Sequence, residues 1–311
     1  MKLPANRLGL GGAALGVLFD PIGDDAARAV VAAAWDAGIR AFDTSPLYGG
    51  GLSEERLGAG LKGRKRDDYF LSTKTGVTRP YGQAAAPPGG ARRAADIWDY
   101  SPEATQRSIA RSLARLDTNH LDLVHLHDVE GRTDAAMAAY PALEALREQG
   151  IVGAIGIGAN RIDAPLDLMA RAKFDAVLVA GRYSLLDQSM LELVPVARAA
   201  GTKLIVGGVF NSGILATGAV PGAMFHYDPA PEPVLARTRA IEALCRKHEV
   251  PLRAAALQFP LAHPDVAMLL LGPRHVDELA DNLALLAHPI PAAFWRALQA
   301  DSLIDKGCPL P

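Results

Sequence analysis

The sequence has few of the features that mark an extracellular, membrane or nucleic-acid-binding protein. Its 311 residues include only two cysteines, Cys245 and Cys308, which cannot form a disulfide framework and have no metal-ligand spacing around them. The formal net charge of −2 gives no reason to expect nucleic acid or an anionic membrane as a partner. No apolar run approaches the roughly 18 residues that a membrane helix requires. A reducing cytoplasm is therefore the expected location.

The chain also lacks a visible targeting signal. Its start, MKLPANRLGLGG, is broken by Pro4 and glycines, so it has no apolar signal-peptide core. Half of the residues are hydrophobic, so a large core can form without metal ions or disulfides. We expect a soluble protein with a single domain over 1–311, a length typical of one α/β barrel.

Short apolar segments alternate with longer helical patterns along the chain, and no composition break separates domains. The predicted strands are 7–13, 39–44, 69–75, 121–127, 152–158, 175–181, 203–208 and 266–272. The predicted helices are 24–38, 53–61, 101–116, 134–148, 162–172, 191–201, 233–248 and 276–286, with Ser53 and Ser101 as N-caps. Eight such pairs favour a (β/α)8 TIM barrel over an open doubly wound sheet, with an N-terminal strand or hairpin cap and long loops at the C-terminal face.

Two predicted connections, 76–100 and 209–232, are unusually long. Both follow strand ends, which is the side of a barrel where active sites assemble. The candidates for substrate contact in the first loop are Tyr81, Arg92, Arg93 and Trp98. Each of these side chains also suits a surface or packing position, so the sequence does not place them.

Four polar residues lie at or just beyond three consecutive strand ends. Asp43 and Tyr48 belong to the segment FDTSPLYGGG, Lys74 ends the third strand, and His127 ends the fourth. Each has an ordinary interpretation, since aspartate organises turns, tyrosine anchors loops and lysine occupies surfaces. A lysine within the apolar FLSTKTG nevertheless calls for a buried partner. If the barrel is right, all four side chains converge on one mouth.

Together the four residues form a set suited to proton transfer. A free tyrosine titrates near pH 10, and an adjacent ammonium lowers that pKa by favouring the phenolate. The natural partner of the desolvated Lys74 is the carboxylate of Asp43, while the imidazole of His127 can orient and polarise a substrate oxygen. The set suits carbonyl reduction or alcohol oxidation. It does not suit acyl transfer, because no nucleophile with an adjacent base is present.

The segments FDTSPLYGGGLSEERLG, LSTKTG and LDLVHLHD resemble, in the same order, the signature segments of the aldo-keto reductase family. The resemblance extends over essentially the whole chain. It implies that Asp43, Tyr48, Lys74 and His127 form a catalytic tetrad with Tyr48 as general acid/base. It also implies a barrel that binds NAD or NADP without a Rossmann domain.

A narrower resemblance is carried by AGRYSLLDQ, FDTSPLYG and LQFPLAHP. These stretches are similar to the branch that holds L-fucose dehydrogenase, D-threo-aldose 1-dehydrogenase, plant L-galactose dehydrogenase and pyridoxal 4-dehydrogenase. The resemblance implies an NAD-dependent enzyme of carbohydrate metabolism that oxidises the C1 hydroxyl of an aldose (L-fucose, L-galactose or D-arabinose type) to a lactone. The alternatives are a pyridoxal 4-dehydrogenase or a general aldehyde and ketone reductase. We expect a small-molecule sugar or aldehyde as the partner, and a monomer or small homo-oligomer.

The resemblance also assigns the nicotinamide and pyrophosphate contacts. Tyr183 is expected to stack on the nicotinamide ring, and Asn160 of Gly158-Ala159-Asn160 to hold its carboxamide. A glutamine common on strand six of the family is Ala180 here, so one expected contact is missing. The segment VFNSGIL matches the loop along the pyrophosphate. Its predicted contacts are Val209, Phe210, Asn211, Ser212, Gly213 and Leu215.

The last matching segment, GPRHVDELADN, resembles the family's adenosine-binding stretch. NADP-dependent relatives often have a lysine at the position of Gly272 and an arginine at that of Glu278. A carboxylate there would repel a 2′-phosphate and favour a ribose hydroxyl, so NAD is the expected cofactor. Arg274 and His275 lie near enough to accept NADP. Asn282 is expected to meet the adenine.

Three rival interpretations were weighed. GLGGA (9–13) begins a pattern like a Rossmann fingerprint, but LGVLFDPIG intervenes before the helix. His125 and His127 lie on one face of a strand, as metal ligands do in barrel hydrolases. The ends of strands five to seven supply no further ligand, so no metal is expected and His125 is predicted to lie in the interior. A non-catalytic dinucleotide-binding subunit, like potassium-channel β subunits, is disfavoured by the complete tetrad.

Overall fold

Eight parallel strands form a closed barrel in the computed structural model, which describes residues 1, 3–16, 22–82 and 96–311. The strands are β1 (Leu8–Gly11), β2 (Ala41–Asp43), β3 (Phe70–Thr75), β4 (Leu123–His127), β5 (Ile155–Ala159), β6 (Ala176–Ala180), β7 (Lys203–Gly207) and β8 (Val266–Leu271). Each strand pairs with its neighbours in chain order, and β8 closes the barrel against β1 through the pair Leu10↔Leu271. The predicted TIM barrel is confirmed.

Helices surround the barrel. They are α1 (Asp24–Asp36), α2 (Leu52–Leu61), α3 (Pro102–Leu116), α4 (Thr133–Glu148), α5 (Asp163–Arg171), α6 (Val194–Ala200), α7 (Ile214–Thr217), α8 (Glu232–Lys247), α9 (Leu252–Leu261), α10 (Val276–Leu286) and α11 (Ala292–Ala300). No pattern in the sequence indicated α7, α9 or α11. In α9 the segment LRAAALQFPL is apolar on nearly every side, so it shows no contrast between a core face and a solvent face.

The two predicted N-caps have different outcomes. Ser101 caps α3 as predicted, since its hydroxyl accepts a hydrogen bond from the backbone N–H of Ala104 at 3.2 Å. The prediction for Ser53 is wrong, because Gly51 occupies the N-cap position of α2. The Ser53 hydroxyl instead donates to the carbonyl of Gly12 at 2.6 Å and thus ties the end of β1 to α2.

The N-terminal strand or hairpin cap predicted outside the barrel is not found among the described residues. Residues 4–7 form a turn closed by a hydrogen bond from Arg7 N–H to the carbonyl of Pro4, and Leu8 already begins a barrel strand. The guanidinium of Arg7 donates to the carbonyls of Leu261 and His263 at 2.9 and 2.8 Å. The N-terminus is thereby fixed to the connection that leads into β8.

The interior of the barrel changes from apolar to polar along the strands. Alternate residues of a strand face the interior, so Phe70, Ser72 and Lys74 of β3 lie on one face. At the N-terminal end this interior is apolar, with Phe70 in a buried cluster that includes Leu123 and Met268. Toward the C-terminal end it becomes polar and charged. This gradient directs any chemistry to the C-terminal mouth.

Both long connections follow strands at the C-terminal mouth, as predicted. Each contains a short antiparallel hairpin: Val77–Thr78 pairs with Ile97–Trp98, and Met224–Phe225 pairs with Asp228–Pro229. The candidates Arg92 and Arg93 lie outside the described residues. Within the described part of the chain, every helix is too short or too polar to cross a bilayer.

Candidate active site

A buried ion pair lies where β2 and β3 end. The ammonium Nζ of Lys74 donates to Oδ1 of Asp43 at 2.5 Å and to the carbonyl of Thr44 at 2.7 Å. Lys74 is 1% exposed and Asp43 is 3% exposed. The second carboxylate oxygen of Asp43 accepts a hydrogen bond from the Ser72 hydroxyl at 2.7 Å. Both charges are therefore desolvated, paired and hydrogen-bonded, as buried charges must be.

Tyr48 lies directly above this pair. It begins a tight turn in which Gly49, Gly50 and Gly51 adopt φ values of 64°, 65° and 107°, a conformation that favours glycine. The glycines turn the chain into α2. Nζ of Lys74 lies 4.9 Å from the centroid of the Tyr48 ring. The turn therefore places the phenol against the ammonium.

His127 completes the set from the end of β4. Its ring is perpendicular to that of Tyr48, with the centroids 5.8 Å apart. Nδ1 lies 3.0 Å from the hydroxyl of Ser45, which itself accepts a hydrogen bond from the backbone N–H of Leu47 at 3.0 Å. In the tautomer in which the Ser45 hydroxyl donates to Nδ1, the neutral ring carries its proton on Nε2. The backbone carbonyl of His127 accepts from the Tyr100 hydroxyl at 2.5 Å, which fixes the strand end.

The electrostatics of Tyr48 differ from the expectation. Burial raises the pKa of Tyr48 well above its usual value, and the carboxylates of Asp43 and Asp128 raise it further. The lowering predicted from Lys74 does not occur, since Asp43 already neutralises the ammonium at 2.5 Å. The phenol is therefore held protonated at neutral pH, which makes it a proton donor in this state of the protein.

His125 lies one layer below the tetrad, in the interior as predicted. It is fully buried, and neither ring nitrogen makes a hydrogen bond of normal geometry within the described residues. Its Nε2 lies 3.9 Å from Oδ2 of Asp43. Gly156 makes room for the ring, because a Cβ there would lie 2.6 Å from Nδ1. Burial lowers the pKa of His125 to about 4. No group of three or more metal-ligand side chains occurs in the described ranges.

The two residues predicted to contact the nicotinamide, Asn160 and Tyr183, lie in different environments. Asn160 follows β5 at the mouth, where its Nδ2 donates to Oδ1 of Asp128 at 2.7 Å. Tyr183 is 0% exposed, with its ring stacked on Phe259 at 5.0 Å and against the edge of His263. It therefore offers no open face for stacking in this structure. Burial, with a smaller contribution from the Cys308 thiol, raises the pKa of its phenol.

The segment predicted to follow the pyrophosphate is a left-handed loop. Asn211, Ser212 and Gly213 have φ values of 46°, 59° and 100°. The side chain of Asn211 is buried and donates to the carbonyl of Gly181 at 3.0 Å. Val209 and Leu215 are buried as well, so the loop presents chiefly its backbone, Phe210 and Ser212 to the surroundings.

The predicted adenosine-binding residues are linked to that loop by an arginine that the sequence analysis missed. Arg253, at the start of α9, donates to Oδ1 of Asn282 at 2.9 Å, and its guanidinium lies 5.9 Å from the centroid of Phe210. Nη2 of Arg274 donates to Oε1 of Glu278 at 2.7 Å. Gly272 follows β8 with open space beside it. No motif in the sequence marked Arg253, because the helix that carries it was not predicted.

Three more residues are relevant to substrate contact: the candidates Tyr81 and Trp98, and Asp128. Tyr81 is exposed and donates to Glu55 at 2.5 Å, and Trp98 lies under the guanidinium of Arg132 at 4.0 Å. Asp128 was not singled out from the sequence, although it directly follows His127. Its Oδ1 lies 3.7 Å from Nε2 of His127. The only sequence signal was its place one residue beyond a strand end.

A barrel that gathers an aspartate, a tyrosine, a lysine and a histidine at one mouth defines an oxidoreductase of the barrel type rather than a metallohydrolase or an acyl transferase. The chain belongs to the Aldo/keto reductase family, whose sequence profile matches residues 7–301. It is accordingly an NAD(P)-dependent oxidoreductase.

Characterised relatives span nearly the whole chain. D-threo-aldose 1-dehydrogenase of Pseudomonas sp is 41% identical over 98% of this chain and 95% of that protein. Pyridoxal 4-dehydrogenase of Microbacterium luteolum is 36% identical over 97% and 96%, respectively. L-galactose dehydrogenase of Arabidopsis thaliana is 32% identical over 91% and 84%. The chain is thus similar to the branch that the shorter motifs indicated.

Solved structures share the fold. An aldo-keto reductase from Bacillus halodurans in its holo form has a TM-score of 0.76 at 24% identity, covering 96% of this chain and 92% of that one. A glycerol dehydrogenase from Gluconobacter oxydans has a TM-score of 0.71 at 21% identity, covering 98% and 93%. At these identities the similarity establishes the barrel architecture.

Replacing one partner of the buried pair should destabilise the protein strongly. Lys74→Met leaves the Asp43 carboxylate buried and unpaired, so we expect a loss of about 3–5 kcal/mol in the free energy of unfolding. The double variant Asp43→Asn/Lys74→Met, which removes both charges, should recover part of that loss. Urea unfolding gives the free energy of unfolding of the wild type, the single variant and the double variant.

The matched control is Arg239→Met, which removes an ion pair whose side chains are 50% and 72% exposed. It should cost no more than about 1 kcal/mol. A Lys74→Met protein as stable as this control would contradict the role assigned to the pair.

Acidification should destabilise the protein through His125. The folded pKa is about 4, whereas an unfolded histidine titrates near pH 6.5, so the unfolded state binds more protons between these values. Stability is therefore complete above about pH 6.5 and falls toward pH 4 by an amount on the order of 3 kcal/mol. Unfolding free energies measured across this range should show a smaller slope for His125→Gln. Equal slopes for wild type and His125→Gln would refute the assignment.

Proposed function

We propose that the protein is an NAD-dependent dehydrogenase that oxidises the C1 hydroxyl of an aldose to the lactone. The observation that carries the proposal is the cluster of Asp43, Tyr48, Lys74 and His127 at the mouth of a chain similar over nearly its whole length to an aldose 1-dehydrogenase. In the overall reaction the cyclic aldose and NAD⁺ give the lactone, NADH and a proton.

Each residue of the tetrad has a role that its geometry supports. The side chain of Tyr48 exchanges the proton of the reacting oxygen: the phenol donates it in carbonyl reduction, and in oxidation the phenolate, formed by loss of the phenol's proton to solvent, receives it. His127 donates from Nε2 to the same oxygen and orients it. Lys74 lies 4.9 Å from the Tyr48 ring and holds the phenol in place, while Asp43 keeps Lys74 charged and in position. These are catalytic roles for Tyr48 and His127, and positioning roles for the ion pair.

The residues around β5 to β8 fit a nicotinamide dinucleotide. Bound there, it would accept the hydride from C1. Gly207, at the end of β7, has no atom within 4 Å of where a Cβ would lie, so the mouth has space above this strand. Asn160 suits the carboxamide, and the left-handed backbone at 211–213 suits the pyrophosphate. Arg253, which is paired with Asp281, lies between that loop and Asn282. Tyr183 would serve as the stacking partner only after its packing against Phe259 changed.

NAD is proposed over NADP because of the pairing of Glu278. Its carboxylate accepts hydrogen bonds from the backbone N–H and side chain of Arg274, at 2.8 and 2.7 Å. The cation that could hold a 2′-phosphate is thus neutralised by a carboxylate that would repel it. Asn282 is buried and accepts a hydrogen bond from Arg253, and it is the proposed adenine contact.

We propose further that the enzyme is cytoplasmic, forms one barrel domain over 1–311 and acts as a monomer or small homo-oligomer on a free sugar or aldehyde. Cys245 and Cys308 support a reducing compartment, since both are buried free thiols. The pyridoxal 4-dehydrogenase relative makes pyridoxal the second candidate substrate.

The proposal is tested by following absorbance at 340 nm with L-fucose, L-galactose, D-arabinose and pyridoxal against NAD and NADP. We expect aldose oxidation with NAD. Tyr48→Phe should lower turnover by about 10²–10⁴-fold, the size of a general acid/base contribution, while the variant still binds cofactor. Tyr81→Phe, which removes an exposed phenol outside the tetrad, is the matched control. Near wild-type turnover for Tyr48→Phe would exclude the mechanism. Oxidation of pyridoxal but of none of the aldoses would show that pyridoxal, and not an aldose, is the substrate.

Cofactor choice should shift when Glu278 loses its charge. Glu278→Gln frees the charge of Arg274 for a 2′-phosphate, so the ratio of kcat/KM for NADP to that for NAD should rise about tenfold, the equivalent of ~1.4 kcal/mol. Glu144→Gln, which disrupts a similar helical pair with Arg147 on α4, should leave the ratio unchanged. A Glu278→Gln enzyme with the wild-type ratio would contradict the assigned discrimination.

A further inference from the structure

Asp128 is held in an unusual backbone conformation at the mouth. It follows His127 at the end of β4 with φ 53°, in the left-handed region that aspartate tolerates better than most residues. Its backbone N–H donates to the carbonyl of Gly158 at 2.9 Å, and its own carbonyl lies 3.4 Å from the Tyr100 hydroxyl. The bond from Asp128 N–H to Gly158, with the bond from the Tyr100 hydroxyl to the preceding carbonyl of His127, therefore fixes a conformation that most side chains would destabilise.

The carboxylate of Asp128 lies beside the groups that would hold the reacting oxygen. Its Oδ1 accepts from Nδ2 of Asn160 at 2.7 Å and lies 3.7 Å from Nε2 of His127. Its charge also contributes to the raised pKa of Tyr48. The side chain is 15% exposed, so it is largely desolvated but accessible from the mouth. A charged acceptor therefore lies next to both proposed proton-transfer groups.

The distance between Oδ1 of Asp128 and Nε2 of His127 decides whether the two groups bond each other or both contact a ligand. A separation of 3.7 Å is too long for a hydrogen bond between Oδ1 and Nε2, which needs ~2.7–3.2 Å. Two groups so placed can instead each bond an oxygen of the same ligand, with Nε2 donating to one and Oδ1 accepting from the other. Oxygens on adjacent carbons of a sugar are spaced to meet both.

We propose that Asp128 is a specificity-determining residue that accepts a hydrogen bond from the hydroxyl on the carbon next to the reacting one. The inference rests on the proposed function and deepens it, since it limits the substrate class to 2-hydroxy aldehydes and to aldoses that carry a free C2 hydroxyl. Asn160 positions the carboxylate. The same charge repels substrates with an acidic group at this position.

The chemistry of a carboxylate makes this selection strong. An ionised aspartate accepts hydrogen bonds and donates none, so it matches a hydroxyl and leaves a C–H or an ether oxygen unmatched. A substrate without the hydroxyl forgoes a hydrogen bond to a largely desolvated carboxylate, and a site built to bond a hydroxyl rejects such analogues far more strongly than an apolar pocket does. The wild-type enzyme should therefore discriminate between substrates that differ only in this hydroxyl.

The test compares lactaldehyde with propanal, which differ only in the C2 hydroxyl, in reduction by NADH. For the wild type we expect kcat/KM for lactaldehyde to exceed that for propanal about 10–100-fold, the effect of one hydrogen bond to a charged group. Asp128→Gly, which suits the positive φ, should lower kcat/KM for lactaldehyde at least about tenfold more than kcat/KM for propanal, so the preference disappears. Asp128→Asn, which also tolerates this backbone, should reduce the preference about tenfold, as a neutral acceptor binds more weakly.

A matched control separates backbone strain from recognition. Asp117 ends α3 with the same φ of 53° and lies at the opposite end of the barrel. Asp117→Gly should keep the wild-type preference. Unfolding curves of both glycine variants establish that each is folded under assay conditions.

The outcomes are distinct. If Asp128→Gly slows lactaldehyde and propanal equally, Asp128 acts through His127 and the inference is wrong. If the preference survives in the variant while wild type oxidises aldoses, the inference fails and the proposed function stands. If no aldose is oxidised but Asp128→Gly abolishes the lactaldehyde preference, the inference holds and the proposed aldose activity fails.

Discussion

The ion pair between Lys74 and Asp43 is the interaction on which the rest of the site depends. At 2.5 Å and almost without solvent, it would be costly to form unless its remaining hydrogen-bonding groups were satisfied, and Thr44 and Ser72 provide those bonds. It joins two adjacent strands at their C-terminal ends and gives the Tyr48 ring a fixed cationic neighbour. Because Asp43 neutralises that cation, the phenol of Tyr48 remains protonated in this structure.

The backbone of the mouth is arranged around this pair by residues in left-handed conformations. Gly49, Gly50 and Gly51 turn the chain so that Tyr48 returns over Lys74, and Asp128 turns the chain after β4 so that its carboxylate faces His127. Between them, Ser45 fixes the orientation of the His127 ring through Nδ1. The reacting oxygen would thus meet a proton donor on one side, an orienting donor on another and a neighbouring carboxylate. On the proposed roles, selectivity and proton transfer depend on the same few residues.

The sequence was sufficient to predict the barrel and to predict that the four tetrad residues meet at one mouth. It was insufficient where apolar and polar residues did not alternate clearly along a segment. The eight strands and their order followed from apolar segments separated by helical ones, and Asp43, Lys74 and His127 followed from their places at strand ends. Helix α9 gave no clear signal, because it is apolar on nearly every side, and Arg253 at its start was missed with it. Ser53 looked like a helix cap from its local sequence, whereas its hydroxyl is bonded to Gly12, 41 positions away in the chain.

The sequence by itself determined which chemistry is available: an acid, its cationic neighbour, a carboxylate and an imidazole, placed by period-two alternation and strand order on one mouth. Only the tertiary structure decided their ionisation and their neighbours. The direction of the Tyr48 pKa depends on burial and on Asp128, and the burial of Tyr183 depends on Phe259, which lies 76 positions away in sequence. The physical reason is that local patterns fix where a side chain leaves the backbone, whereas desolvation, charge and ring packing are set by residues that only folding brings near.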